Sequence, residues 1–100
     1  MRWFQQGDVL IQPVGNIPSE GKEQDHNILA SGEATGHSHR VHGPRVALFV
    51  HAHILYIDAP EGAEVRHEEH RAMIIPAGKY KVGIVREYDH FLEETRKLVD

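Results

Sequence analysis

Short apolar and β-branched runs, cut apart by glycine and proline, fill most of this chain, and only its tail carries a helical period. Asp8-Val9-Leu10-Ile11-Gln12-Pro13-Val14 is the first run, closed by Gly15-Asn16. The polar stretch from Pro18 to Gln24 reads as a surface loop. His26 to Ala30 predicts a second strand ending at Ser31-Gly32, and Thr35 to His42 a third, bounded by Gly36, Gly43 and Pro44. Val46-Ala47-Leu48-Phe49-Val50 is continuously apolar and too short for a helix, which predicts a buried strand. Ile54-Leu55-Tyr56-Ile57 follows, with His51-Ala52-His53 in or beside the connection.

Two Pro-x-Gly units, Pro60-Glu61-Gly62 and Pro76-Ala77-Gly78, predict tight reversals, because proline presets the second turn position and glycine suits the fourth. Between them Ala63 to His67 and Arg71 to Ile75 read as strands, and Lys79 to Arg86 follows. In that last strand Tyr80, Val82, Ile84 and Arg86 share one face by the period-two rule. In the tail, Asp89 can cap a segment where Tyr88, Phe91, Leu92, Thr95, Leu98 and Val99 recur near a helical period. An edge strand over Arg96 to Val99 is the alternative there. About seven or eight short strands with frequent turns describe an all-β fold: a small barrel, roll or sandwich with a short C-terminal helical turn. The length of 100 residues suits one β domain spanning 1–100.

Composition changes the picture at one residue type. Nine of the 100 residues are histidine and none is cysteine. Disulfides, iron–sulfur clusters and thiolate zinc sites are thereby excluded, so any metal must be held by nitrogen and oxygen. The net charge of −4 makes long nucleic acid an unexpected partner, although Arg40, Arg45 and Arg66 lie near the histidines. The opening Met1-Arg2-Trp3-Phe4-Gln5-Gln6 is too short and polar for a signal peptide, and no apolar run approaches the roughly 20 residues that span a bilayer. The expected compartment is the cytoplasm, with no membrane partner.

The histidines cluster. His37 and His39 stand two apart, as do His51 and His53, and residues two apart on a strand project to the same side with Cα atoms roughly 6.5–7 Å apart. Each pair is therefore a start for a bidentate nitrogen site, and Gly36 leaves room beside the first. His51 and His53 read better as strand ends or a hairpin connection, and His42 needs a bulge or turn to join His39. In His67-Glu68-Glu69-His70 the two histidines oppose each other on a straight strand and meet only if the glutamates form a hairpin corner. Two glutamates suit a tight hairpin poorly, which predicts a wider loop. His37, His39, His67 and His70 are the candidate metal ligands. Glu33 and Glu69 are candidate proton acceptors. Arg86 either contacts substrate or joins a buried polar network with Tyr88. Solvated surface histidines are the bland alternative for every pair.

The segments Gly32-Glu33-Ala34-Thr35-Gly36-His37-Ser38-His39, His67-Glu68-Glu69-His70, Pro76-Ala77-Gly78-Lys79-Tyr80-Lys81-Val82 and Arg86-Glu87-Tyr88-Asp89 resemble a group of small uncharacterised bacterial and phage proteins of about this length. That resemblance supports the choice of residues without implying an activity. His37-Ser38-His39 and Ile75-Pro76-Ala77-Gly78 are also similar to the His-x-His pair and the Pro-x-Gly turn of the cupins. The cupin likeness implies a metal-binding β-barrel. Pro44 and Arg45 stand where the cupin glutamate would, which redirects the expected ligand set to His37, His39, His67 and His70.

Three functions fit. A metal-binding β domain would hold Zn²⁺, Ni²⁺ or Fe²⁺ and, with an open coordination position, assist hydrolysis. A metal-free phosphodiesterase acting on RNA or a small nucleotide would use one histidine as base and another as acid, with Arg40, Arg45 or Arg86 on the phosphate. A non-enzymatic module would assemble through its sheet edges, and a homodimer is the expected assembly. The sequence leaves open whether His42, His51 and His53 belong to the site.

Overall fold

The computed structural model describes residues 2–32 and 36–85. Among the described residues ten strands run in two antiparallel sheets. Four hairpins alternate between them: β1 (Phe4–Gln6) with β2 (Val9–Val14), β4 (Ile28–Ser31) with β5 (Ser38–His42), β6 (Ala47–His51) with β7 (Ile54–Ala59), and β8 (Ala63–Arg66) with β9 (Met73–Ile75). β10 (Gly78–Ile84) lies between β2 and β7, and the two-residue β3 (Lys22–Glu23) edges β6. The first sheet is ordered β1-β2-β10-β7-β6-β3 and the second β4-β5-β8-β9. The barrel alternative does not close; the architecture is a sandwich or roll.

Alternation along each strand builds the core between the sheets. Val9, Ile11, Leu48, Ile57, Ala59 and Tyr80 come from the larger sheet, and Leu29, Val41, Ala63, Val65 and Ile75 from the smaller. Successive strand residues point to opposite faces, so Val9 and Ile11 of β2 and Ala63 and Val65 of β8 are buried and the residues between them are not. Pro13 sits inside a strand without a missing ladder bond: β1 pairs β2 only as far as Ile11, so among the described residues no strand pairs with the side of β2 next to Pro13. The expected Tyr80 face of β10 holds through Val82; Ile84 is 53 % exposed and Val85 turns inward.

Several expectations are corrected. The stretch Pro18 to Gln24 contains β3, and the polar opening contains β1, because each borrows ladder bonds from a longer neighbour. Strand ends also shift, so that His37 precedes β5 and His67 follows β8. Trp3 is more than half exposed, whereas Phe4 packs against the core. Pro60-Glu61-Gly62 is the expected tight turn, with the Gly62 N–H donating to Ala59 O at 3.1 Å. Pro76-Ala77 instead carries the chain from β9 in one sheet to β10 in the other, and the Tyr80 hydroxyl donates to Pro76 O at 2.5 Å. The expected C-terminal helical turn falls on residues outside those described. Among the described residues no helix is long and apolar enough to cross a membrane.

Candidate metal centre

One end of the sandwich opens into a cleft of about 630 Å³. The β1–β2 turn, the end of β4, the start of β5, the β8–β9 loop and Ile84 of β10 form its walls. Asp8, Ser31, His37, His39, His67, Glu69 and His70 supply its polar side chains.

His39 is the buried member, 5 % exposed. Its Nδ1 lies 2.8 Å from Gln6 Oε1 on the opposite sheet. The Gln6 amide nitrogen donates to Val65 O at 3.0 Å and to Arg71 O at 2.9 Å, so both amide hydrogens are committed to carbonyls. The amide oxygen therefore faces His39 and can only accept, which places a proton on His39 Nδ1 and leaves the Nε2 lone pair for a ligand. Outer hydrogen bonds of this kind fix the tautomer and ring orientation of metal-binding histidines. Burial, and then the neighbouring His67, hold the His39 pKa below its ordinary value, against the pull of Asp8 3.7 Å from Nε2. A neutral, oriented imidazole is the form that binds metal.

The six residues 67–72 that join β8 to β9 form the wider loop the two glutamates predict. Glu68 Oε2 accepts from Ser38 N–H at 3.0 Å, tying the loop to β5, and backbone N–H groups at Glu68 and Ser38 hold the Glu68 pKa down. Arg71 O receives the Gln6 bond at the other end. His70 lies against Gly7, the first residue of a two-residue turn between Gln6 and Val9. Gly7 has φ +60, and a Cβ there would stand 2.6 Å from His70 Nε2. Glycine first in such a turn matches the II′ hairpin type, and here it also makes room for an imidazole.

These anchors bring the rings together. Ring centroids of His39 and His67 are 4.3 Å apart, of His67 and His70 4.5 Å, and of His39 and His70 5.7 Å. One ligand nitrogen from each of the three lies within 4.8 Å of the others. A tetrahedral ion with bonds of about 2.0–2.1 Å needs nitrogens about 3.4 Å apart, so a bound ion would draw the rings together by no more than about 1.4 Å. His37 belongs to an overlapping set with His67 and Glu68. Its Nδ1 stands 3.5 Å from Glu69 Oε1, whose side chain is largely exposed.

All four histidines singled out in the sequence line this cleft, as does Glu69. His37 and His39 fall in different sets of three, because His37 precedes the strand that carries His39. His51 and His53 do not project together: His53 occupies the hairpin turn between His51 and Ile54. His42 lies at the opposite end of β5, beside Gly62 and Ile75. Glu33 and Arg86 are outside the described residues. Sequence reasoning missed Gln6 and Asp8. The Gly7-Asp8 dipeptide was the available signal, since it marks a two-residue hairpin just before the first apolar run.

Residues 5–85 match the profile of a family described as a domain of unknown function, DUF8820. Neither the curated proteins nor the solved structures contain a significant match to the chain.

Proposed function

We propose that this chain, which belongs to the DUF8820 family, binds one divalent transition metal through His39, His67 and His70, with Asp8 and His37 beside them. The observation that carries this reading is the convergence of three imidazole nitrogens on a point where Gln6 orients the most buried ring. An all-nitrogen set without thiolate suits Zn²⁺, Ni²⁺ or Fe²⁺. With three protein nitrogens such an ion keeps a coordination position open and supplies an acidified water for hydrolysis. Glu69 and Asp8 line the same cleft and stand to take the proton, and the cleft has the volume of a small-molecule site. The metal-free phosphodiesterase reading loses ground because no arginine or lysine is among the described residues lining the cleft.

Untagged protein, never exposed to nickel resin and analysed by plasma mass spectrometry, is the test. Near one equivalent of metal in the wild type, lost in His39→Ala and His70→Ala, is the expected result. Wild-type protein that retains no metal after incubation with equimolar Zn²⁺ would end this reading.

A further inference from the structure

The candidate ligands form two sets that share a single side chain. His39, His67 and His70 make the inner set, with buried His39 at its base. His37, His67 and Glu68 make an outer set whose ligand atoms also lie within 4.8 Å of one another. Glu68 is exposed, and its carboxylate is already fixed by the Ser38 N–H. His67 Nε2 lies 3.9 Å from Glu68 Oε2.

A neutral imidazole has one lone pair free for a metal, so His67 serves one ion at a time. Serving two would need an imidazolate with both nitrogens unprotonated, and would also cost the Glu69 N–H its acceptor at His67 Nδ1. The two sets also differ chemically. A carboxylate on the rim attracts a hydrated cation and readily exchanges for one of its waters, whereas an all-imidazole set holds a borderline-soft ion more tightly.

Resting on the metal-binding reading above, we infer that the cleft offers two alternative stations to one divalent transition ion. His37, His67 and Glu68 capture it at the rim, and His67 hands it to His39 and His70. This predicts an unusual kinetic signature. A station on the path of entry is also on the path of exit, so its loss slows both and leaves the equilibrium in place. Loss of a ligand to the resident ion instead speeds release, the common route by which affinity changes.

Stopped-flow mixing of metal-free, untagged protein with Co²⁺ reads both rates through the visible absorption of the bound ion. His37→Ala and Glu68→Gln are expected to lower kon and koff together by about tenfold, the low end of what a focusing cleft adds to on-rates, with one equivalent bound and Kd within about twofold of wild type. His70→Ala should keep the fast kon and release the ion faster. Faster release from the His37 and Glu68 variants at unchanged kon would make them ligands of the resident ion and overturn the relay. Unchanged rates in both variants would overturn it too, as would two equivalents bound to the wild type. Wild-type protein that binds no Co²⁺ removes the metal-binding reading and the relay with it, whereas ordinary binding with unchanged variant rates removes the relay alone.

Discussion

Gln6→Leu conserves volume but leaves Val65 O, Arg71 O and His39 Nδ1 without their partner. Buried groups stripped of a hydrogen bond cost about 1–3 kcal/mol, so the urea midpoint should fall accordingly. Metal affinity should fall about 10- to 100-fold as well, since His39 loses its orienting contact, and a competition titration reads it. His39 itself sets a pH dependence. Burial and the adjacent imidazoles lower its pKa in the folded chain, so below about pH 6.5 the unfolded chain binds a proton that the folded chain resists. Its contribution to stability is therefore complete above that pH and lost as the pH falls further. Urea melts at about pH 8 and pH 5.5 should show a larger loss for wild type than for His39→Gln. Equal losses would mean that His39 is not the group responsible.

At the level of the element, loops decide what strands present. The turn Ala52-His53 has φ of +51 and +66 at non-glycine residues, the left-handed pair of a type I′ hairpin. Ala52→Asn with His53→Gly should stabilise the fold by about 1–2 kcal/mol, seen as a higher urea midpoint, with metal binding unchanged. The loop after β8 responds oppositely. Glu69 N–H donates to His67 Nδ1 at 3.0 Å, and any metal bond to His67 must displace it, either by taking Nδ1 or by moving a proton there. The hydrogen bond is worth about 1 kcal/mol and metal coordination several times more, so the metal wins. Amide exchange at Glu69 should accelerate on Zn²⁺ addition while exchange at Ile57 slows. Short apolar runs bounded by turn residues made eight of the ten described strands legible, β2 and β4 to β10. They could not show β1 or β3, which are held by partners rather than by their own composition. Histidine clustering made His37, His39, His67 and His70 legible, but Gln6 and Asp8 matter through contacts across some 30 to 65 residues of chain, and no local pattern encodes those.

The whole molecule has a core independent of any ion, built from both sheets. Chelator should therefore leave the far-ultraviolet spectrum unchanged, and metal at about 1,000 times Kd should add about 4 kcal/mol, read as a rise in Tm. Loss of the fold in chelator would mean the ion is structural. Among the described residues the edge strands are β1 and β3 in one sheet and β4 and β9 in the other, and β9 carries Ile74 at 67 % exposure. The expected homodimer would pair such an edge, and sedimentation of a single 11.4 kDa species would remove it. The Gln6 amide also has a consequence for synthesis. Its two carbonyl acceptors lie 59 and 65 residues downstream, so His39 cannot be aligned until position 71 has left the ribosome. On the proposed metal-binding reading, a nascent chain is expected to complete the inner ligand set only after the β8–β9 loop has emerged.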